Sequence, residues 1–100
     1  MQFEWDEAKA ARNLARREID FQDALEVFYD PLQIEFEDDR FDYGERRLIT
    51  VGMAGKNLLS VVFTERETDE DVVVRIISAR KANAYEQRTY RQGHTRRGQG

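Results

Sequence analysis

The chain has 100 residues, 40% of them hydrophobic and 36% charged, which is enough for one core and too little for a second independent domain. It contains no cysteine, which excludes disulfide staples, thiolate nucleophiles and thiolate metal sites. The net charge of −4 argues against broad nucleic-acid binding, because phosphate contacts draw on Lys and Arg. That total hides a division, since residues 75–100 hold seven Arg or Lys against the single acid Glu86, while the rest hold nine basic and nineteen acidic side chains. A basic functional end with an acidic opposite surface fits this division, and so does a solvated charged helix and tail.

In chain order, Trp5-Asp6 opens the first element, with Asp6 as N-cap of a helix reaching about Arg17 and Ala8, Ala11, Leu14 and Ala15 on its apolar stripe. Asp20 caps a second helix in which Phe21, Ala24, Leu25 and Phe28 recur at helical spacing, and Pro31 stops it. From Leu32 the period becomes two, with Leu32, Ile34 and Phe36 alternating with Gln33, Glu35 and Glu37. A turn over 38–44 leads to a second strand, Arg46 to Met53, and Ala54-Gly55-Lys56-Asn57 turns into a third, Leu58 to Thr64. Residues Glu65 to Glu70 turn again before a fourth strand, Val72 to Ser78. A helix then runs from about Ala79 to Arg91, with Ser78 as its cap. The order predicts an α+β fold: two N-terminal helices, a four-stranded antiparallel meander and a C-terminal helix, in one domain over residues 1–91. Residues 92–100 have three glycines and no apolar anchor and read as a disordered tail. No apolar run approaches the roughly 20 residues of a membrane span, and the acidic N-terminus is unlike a secretory signal, so a cytoplasmic location is expected.

Most catalytic schemes find no residues here. The one histidine, His94, has no second His or Cys beside it, so no metal centre and no serine-type triad is expected. No glycine-rich phosphate loop occurs, so no nucleotide cofactor is expected. The acidic run Glu35, Glu37, Asp38, Asp39, Asp42 and Glu45 lacks calcium-loop spacing and reads as a solvated strand and turn. The arginines remain. Arg75 shares strand parity with Val73, Ile77 and Ala79, and an arginine among apolar neighbours is either ion-paired or lines a cleft. Arg66 and Arg80 follow the third and fourth strands, and Glu45-Arg46 borders the second. Guanidinium groups gathered with one carboxylate suit phosphoryl chemistry, since they grip phosphate oxygens and need no histidine. A structural pairing of Arg75 with Glu45 or Glu86 explains the same residues. Phe41, Tyr43, Tyr85 and Tyr90 are candidates for stacking on bases or for packing.

The ordered motifs resemble those of the BrnT family of type II toxins over about residues 3–90. They are Phe3-x-Trp5-Asp6-x-x-Lys9-x-x-x-Asn13, Phe21-x-x-Ala24-x-x-Val27-Phe28-x-Asp30-Pro31, Gly44-Glu45-Arg46-Arg47, Val51-Gly52 and Leu59-x-Val61-Val62-Phe63-Thr64-x-Arg66. The last is Arg75-Ile76-Ile77-Ser78-Ala79-Arg80-Lys81-Ala82-x-x-x-Glu86-x-x-x-Tyr90. The resemblance implies a RelE-like fold and metal-independent RNA cleavage that inhibits translation, by attack of a ribose 2′-hydroxyl on the adjacent phosphate, with or without the ribosome. It implies neutralisation by a BrnA-like ribbon-helix-helix antitoxin in a 2:2 heterotetramer, with operator DNA bound only through the antitoxin. Carried onto this chain, the family's charged signature falls on Glu45, Arg46, Arg66, Arg75, Arg80, Lys81 and Glu86. Arg66, Arg75 and Arg80 are expected as phosphate and transition-state binders and Glu45 as the base, with Arg46, Lys81 and Tyr90 contacting RNA. One segment departs: many members carry Lys-His-Gly after the first helix, where this chain has Arg16-Arg17-Glu18. The alternative from another class is a module without catalysis that serves as antitoxin partner and co-repressor.

Overall fold

The computed structural model describes residues 1–40 and 44–99, with side chains through Gly93. Phe41, Asp42 and Tyr43, and the side chain of His94, therefore lie outside the described residues. The elements are β1 (Gln2–Trp5), α1 (Glu7–Arg17), α2 (Phe21–Ala24) running into a 3₁₀ turn (Leu25–Tyr29), β2 (Ile34–Asp38), β3 (Arg47–Ala54), β4 (Asn57–Glu67), β5 (Val72–Lys81) and α3 (Ala84–Gln99).

The expected four-stranded antiparallel meander behind two N-terminal helices is corrected. The chain builds a five-stranded mixed sheet in the order β1-β5-β4-β3-β2, and β1 pairs parallel with β5. The first element is thus a strand, not a helix. Four residues give too short an alternation to register as a strand. Their gain is tertiary: Phe3 packs on Phe28 with centroids 5.2 Å apart, and Trp5 meets the edge of Phe21 at 6.0 Å. The second helix is also shorter than its apolar spacing predicts, because one α-turn gives way at Leu25 to 3₁₀ geometry before Pro31.

Local chemistry fixes the remaining elements. Asp6 and Asp20 cap α1 and α2 by accepting from Lys9 N–H and Gln22 N–H. Helix α1 ends at Glu18 in the left-handed region (φ 59°), a position that favours glycine. A β-carbon there costs about 1 kcal/mol relative to glycine. Gly52 is required for another reason: a Cβ would stand 3.0 Å from Val27 Cγ1 and 3.1 Å from Asp30 Oδ2, so its absence lets the 3₁₀ turn lie on β3. Asp30 ties three elements together, accepting from Leu32 N–H, Met53 N–H and the Tyr90 hydroxyl.

The sheet has two unlike faces. Phe3, Trp5, Leu48, Val61, Phe63, Val74, Ile76 and Ala79 pack under α1 and α2 in the main core. On the other face Ile34, Ile49, Val51 and Leu58 form a smaller cluster with Ala82 and Tyr90, so α3 covers one end of that face. A β-bulge decides which arginines share it. Val62 pairs with Ser78 but Phe63 pairs with Ile76, leaving Ile77 as the extra residue. Parity therefore reverses at Ile77, and Arg75, Ser78 and Arg80 all fall on the face away from α1. Asn13 holds the bulge to α1, accepting from Ala79 N–H at 3.1 Å and donating to Ile19 O at 3.0 Å from a buried position. Ser78 is accordingly a strand residue, and α3 is capped by Asn83 instead, whose Oδ1 accepts from Glu86 N–H while Glu86 accepts from Asn83 N–H.

Candidate functional site

The end of the sheet that α3 leaves open carries a charged row across all five strands. Glu4 on β1 is level with Arg75 on β5, which is level with Thr64 on β4; Arg47 on β3 follows one step past the Leu48–Phe63 pair and is level with Asp38 on β2. Arg66 sits two residues further along β4 on the same face, roughly 7–8 Å from Arg75 as a diagonal neighbour. Glu45, at the entry to β3, joins two of these cations. The Arg75 Nη2 donates to its two carboxylate oxygens at 2.7 and 2.9 Å, and Arg47 Nε lies 3.5 Å from Oε1. Asp38 is buried and receives Arg40 through two bonds of 2.7 and 3.0 Å.

Arg66, Arg75 and Glu45, singled out from the sequence, are thus brought together. Each arginine is already engaged, Arg66 by Glu4 and Arg75 by Glu45. These pairs are open to solvent, with side chains 38–60% exposed, where an ion pair contributes about 0–1 kcal/mol and exchanges readily. The hydrogen bond from Arg66 holds the Glu4 carboxyl below its ordinary value, against the opposing desolvation and with help from the Arg66 and Arg75 charges; Glu4 in turn raises Arg66. The row is a strip of cations whose carboxylate partners a phosphate can displace.

The other expected residues lie elsewhere. Arg80 shares the face but stands at its covered end, on the order of 15 Å from Arg75 along β5. It forms a two-bond pair with buried Glu86 at 2.8 and 3.0 Å, and Glu86 also accepts from Ser60. Burial pushes the Glu86 carboxyl up, but the bonds from Arg80, Asn83 and Ser60 outweigh it and hold the group below its ordinary value. Arg80 and Glu86 thereby seat α3 on the sheet. Tyr90 is buried with its hydroxyl on Asp30, so its ring is core and offers no stacking face in this conformation, whereas Tyr85 is exposed near Phe36. Arg46 turns to Glu37 at 3.4 Å. Lys81 lies with Arg17, Lys56 and Asn57 in a cleft of about 660 Å³ between the end of α1 and the β3–β4 hairpin. Among the described residues no cluster of three or more His, Cys, Asp or Glu could hold a metal ion.

Arg47 and Glu4, which carry ion pairs to Glu45 and Arg66, escaped sequence reasoning. Arg47 has the parity of Ile49 and Val51, and that pattern was the signal for its placement on the arginine face. Glu4 carried none, because its role depends on β1 being a strand.

No curated protein sequence matches the chain. A family model does, the one described as ribonuclease toxin, BrnT, of type II toxin–antitoxin system, over residues 5–86. The match runs from Trp5, the last residue of β1, to the first turn of α3 and so includes every residue of the charged row except Glu4. The chain belongs to the BrnT family of ribonuclease toxins.

Proposed function

We propose that this toxin cuts RNA without a metal ion on the open end of its sheet, with Arg75 and Arg66 gripping the scissile phosphate and Glu45 serving as base. The observation that carries this reading is the convergence of Arg47 and Arg75 on one exposed carboxylate, Glu45, with Arg66 a diagonal neighbour of Arg75 on the same face. A phosphodiester entering the row replaces Glu45 as the acceptor of Arg75. The released carboxylate stays beside the phosphate, where it takes the proton of the ribose 2′-hydroxyl. The 2′-oxygen then bonds to phosphorus, the bond from phosphorus to the 5′-oxygen breaks, and that oxygen leaves with a proton from solvent. The products are a 2′,3′-cyclic phosphate and a 5′-hydroxyl. Arginine stabilises the extra charge of the pentacoordinate state. Arg80 acts at a distance, by holding α3 in place.

The family description supports an antitoxin partner. A ribbon-helix-helix antitoxin, a 2:2 assembly and joint repression of the operon through the antitoxin's DNA contacts extend the family resemblance. No helix among the described residues is long and apolar enough to cross a membrane, and the expected RNA target places the toxin's action in the cytoplasm.

One observation favours the alternative of a catalytically silent partner-binding module: Arg66, Arg75 and Arg80 each already engage a carboxylate. The test is to incubate the purified chain with RNA in excess chelator, with and without ribosomes. New fragments ending in cyclic phosphate are expected; intact RNA under both conditions sinks the nuclease reading.

A further inference from the structure

A second feature lies on the helix-bearing face, at the end that α1 and α2 do not reach. There β4 and β5 run past the 3₁₀ turn and leave a cleft of about 440 Å³. Its floor is apolar: Phe28 and Phe63, stacked edge to face at 5.0 Å, with Val72 and Val74. Its rim is acidic: Glu35, Glu65 and Asp71. Asp71 is satisfied by the Met1 ammonium at 2.7 Å, and Gln33 spends its amide on Phe28 O, Asp30 O and Thr50. Glu35 and Glu65 form no ion pair among the described residues, and desolvation together with the nearby Glu65 charge pushes the Glu35 carboxyl up against the opposing Arg46 charge. Two carboxylates without an ion-pair partner among the described residues thus line the cleft over an apolar floor, and the Met1 ammonium beside them is taken by Asp71. Phosphate is repelled from such a place. A methylene stem carrying a positive head matches it, because Lys and Arg bury their stems on apolar surface while the head meets a carboxylate.

We infer that this cleft docks a segment of the protein partner in which basic and apolar residues alternate, the basic head bridging Glu35 and Glu65 over Phe28 and Phe63. The inference rests on the chain having a protein partner, as the family description supplies, but not on RNA cleavage. It also separates the two surfaces: the partner's basic segment sits on the face opposite the arginine row, so holding the partner and binding RNA use different residues.

The probe is a capped hexapeptide, Gly-Lys-Leu-Lys-Leu-Gly, titrated into the isotopically labelled full chain. Saturable shifts confined to the amides of Phe63, Val72 and Val74 are expected. Glu35→Gln/Glu65→Gln is expected to weaken binding at least tenfold, while Asp69→Asn/Glu70→Gln, which removes the same charge outside the cleft, changes it less than twofold. Exchanging the peptide's leucines for serine should likewise abolish the shifts. Equal weakening by both double variants, shifts at other sites, self-association of the chain through this cleft, or no binding each overturns the proposal. Arg75→Ala should leave peptide binding intact. A chain that binds the peptide here but cuts no RNA refutes the nuclease reading alone, and one that cuts RNA without binding the peptide refutes the docking surface alone.

Discussion

Arg75→Ala is expected to slow RNA cleavage by about 10²–10³-fold, the usual loss when one fixed donor to a developing anion is removed, while the protein stays folded. The fold should tolerate the change because the Arg75–Glu45 pair is exposed on both sides, 44% and 38%, and such pairs contribute less than about 1 kcal/mol. Arg75→Lys should fall between the two, since an ammonium keeps the charge but loses the planar fork that faces two phosphate oxygens. Circular dichroism and a melting curve on each variant separate lost chemistry from lost structure. A folded Arg75→Ala protein with unchanged cleavage removes Arg75 from the site.

Glu86→Gln should act in the opposite way, costing stability first and activity only through it. The carboxylate receives Arg80, Asn83 N–H and Ser60 from a buried position, so removing its charge leaves a guanidinium that is 29% exposed without its anion. Breaking a buried pair from one side costs about 3 kcal/mol or more, a large part of the stability of a domain this size. Because the folded carboxyl is held below its ordinary value, its contribution is present above the unfolded glutamate range and is lost as the pH falls through the folded value. Chemical denaturation at stepped pH should show wild type losing stability across that acid range. Glu86→Gln should start lower and lose less there. Equal acid slopes in the two proteins would show that Glu86 does not carry this linkage.

Much of the fold could be read from local signals. Asp6 before α1, Asp20 before α2 and Pro31 after the 3₁₀ turn each act within a few residues, and the turn at Gly55 (φ 60°) announces the β3–β4 hairpin in the sequence itself. What escaped depends on distant partners. Strand β1 exists because Phe3 and Trp5 find Phe28 and Phe21, and its parallel pairing with β5 joins residues some seventy positions apart. The bulge at Ile77 leaves no mark in composition, yet it reverses parity, so Val73 shares the face of Arg75 as expected while Ala79 falls on the opposite one. The cap of α3 could have been found. Asn83-x-x-Glu86 is a capping-box pattern, and reading it would have assigned Glu86, and Arg80 with it, to the seating of a helix. The grouping of Glu45, Arg66 and Arg75 is expected from strand parity and their places at strand borders, and the family motifs name the same residues. Arg47 could have been added from parity alone.

The central claim is that the open row of Arg47, Arg66 and Arg75 receives the RNA phosphate. It can be watched without turnover by titrating the chain with an RNA dinucleotide blocked by a 2′-O-methyl group and following the arginine Nε–H resonances. The account predicts saturable shifts at Arg66, Arg75 and Arg47, with Arg80 unmoved under α3. Shifts at Arg17 on the other side of the sheet, with the row silent, would contradict it.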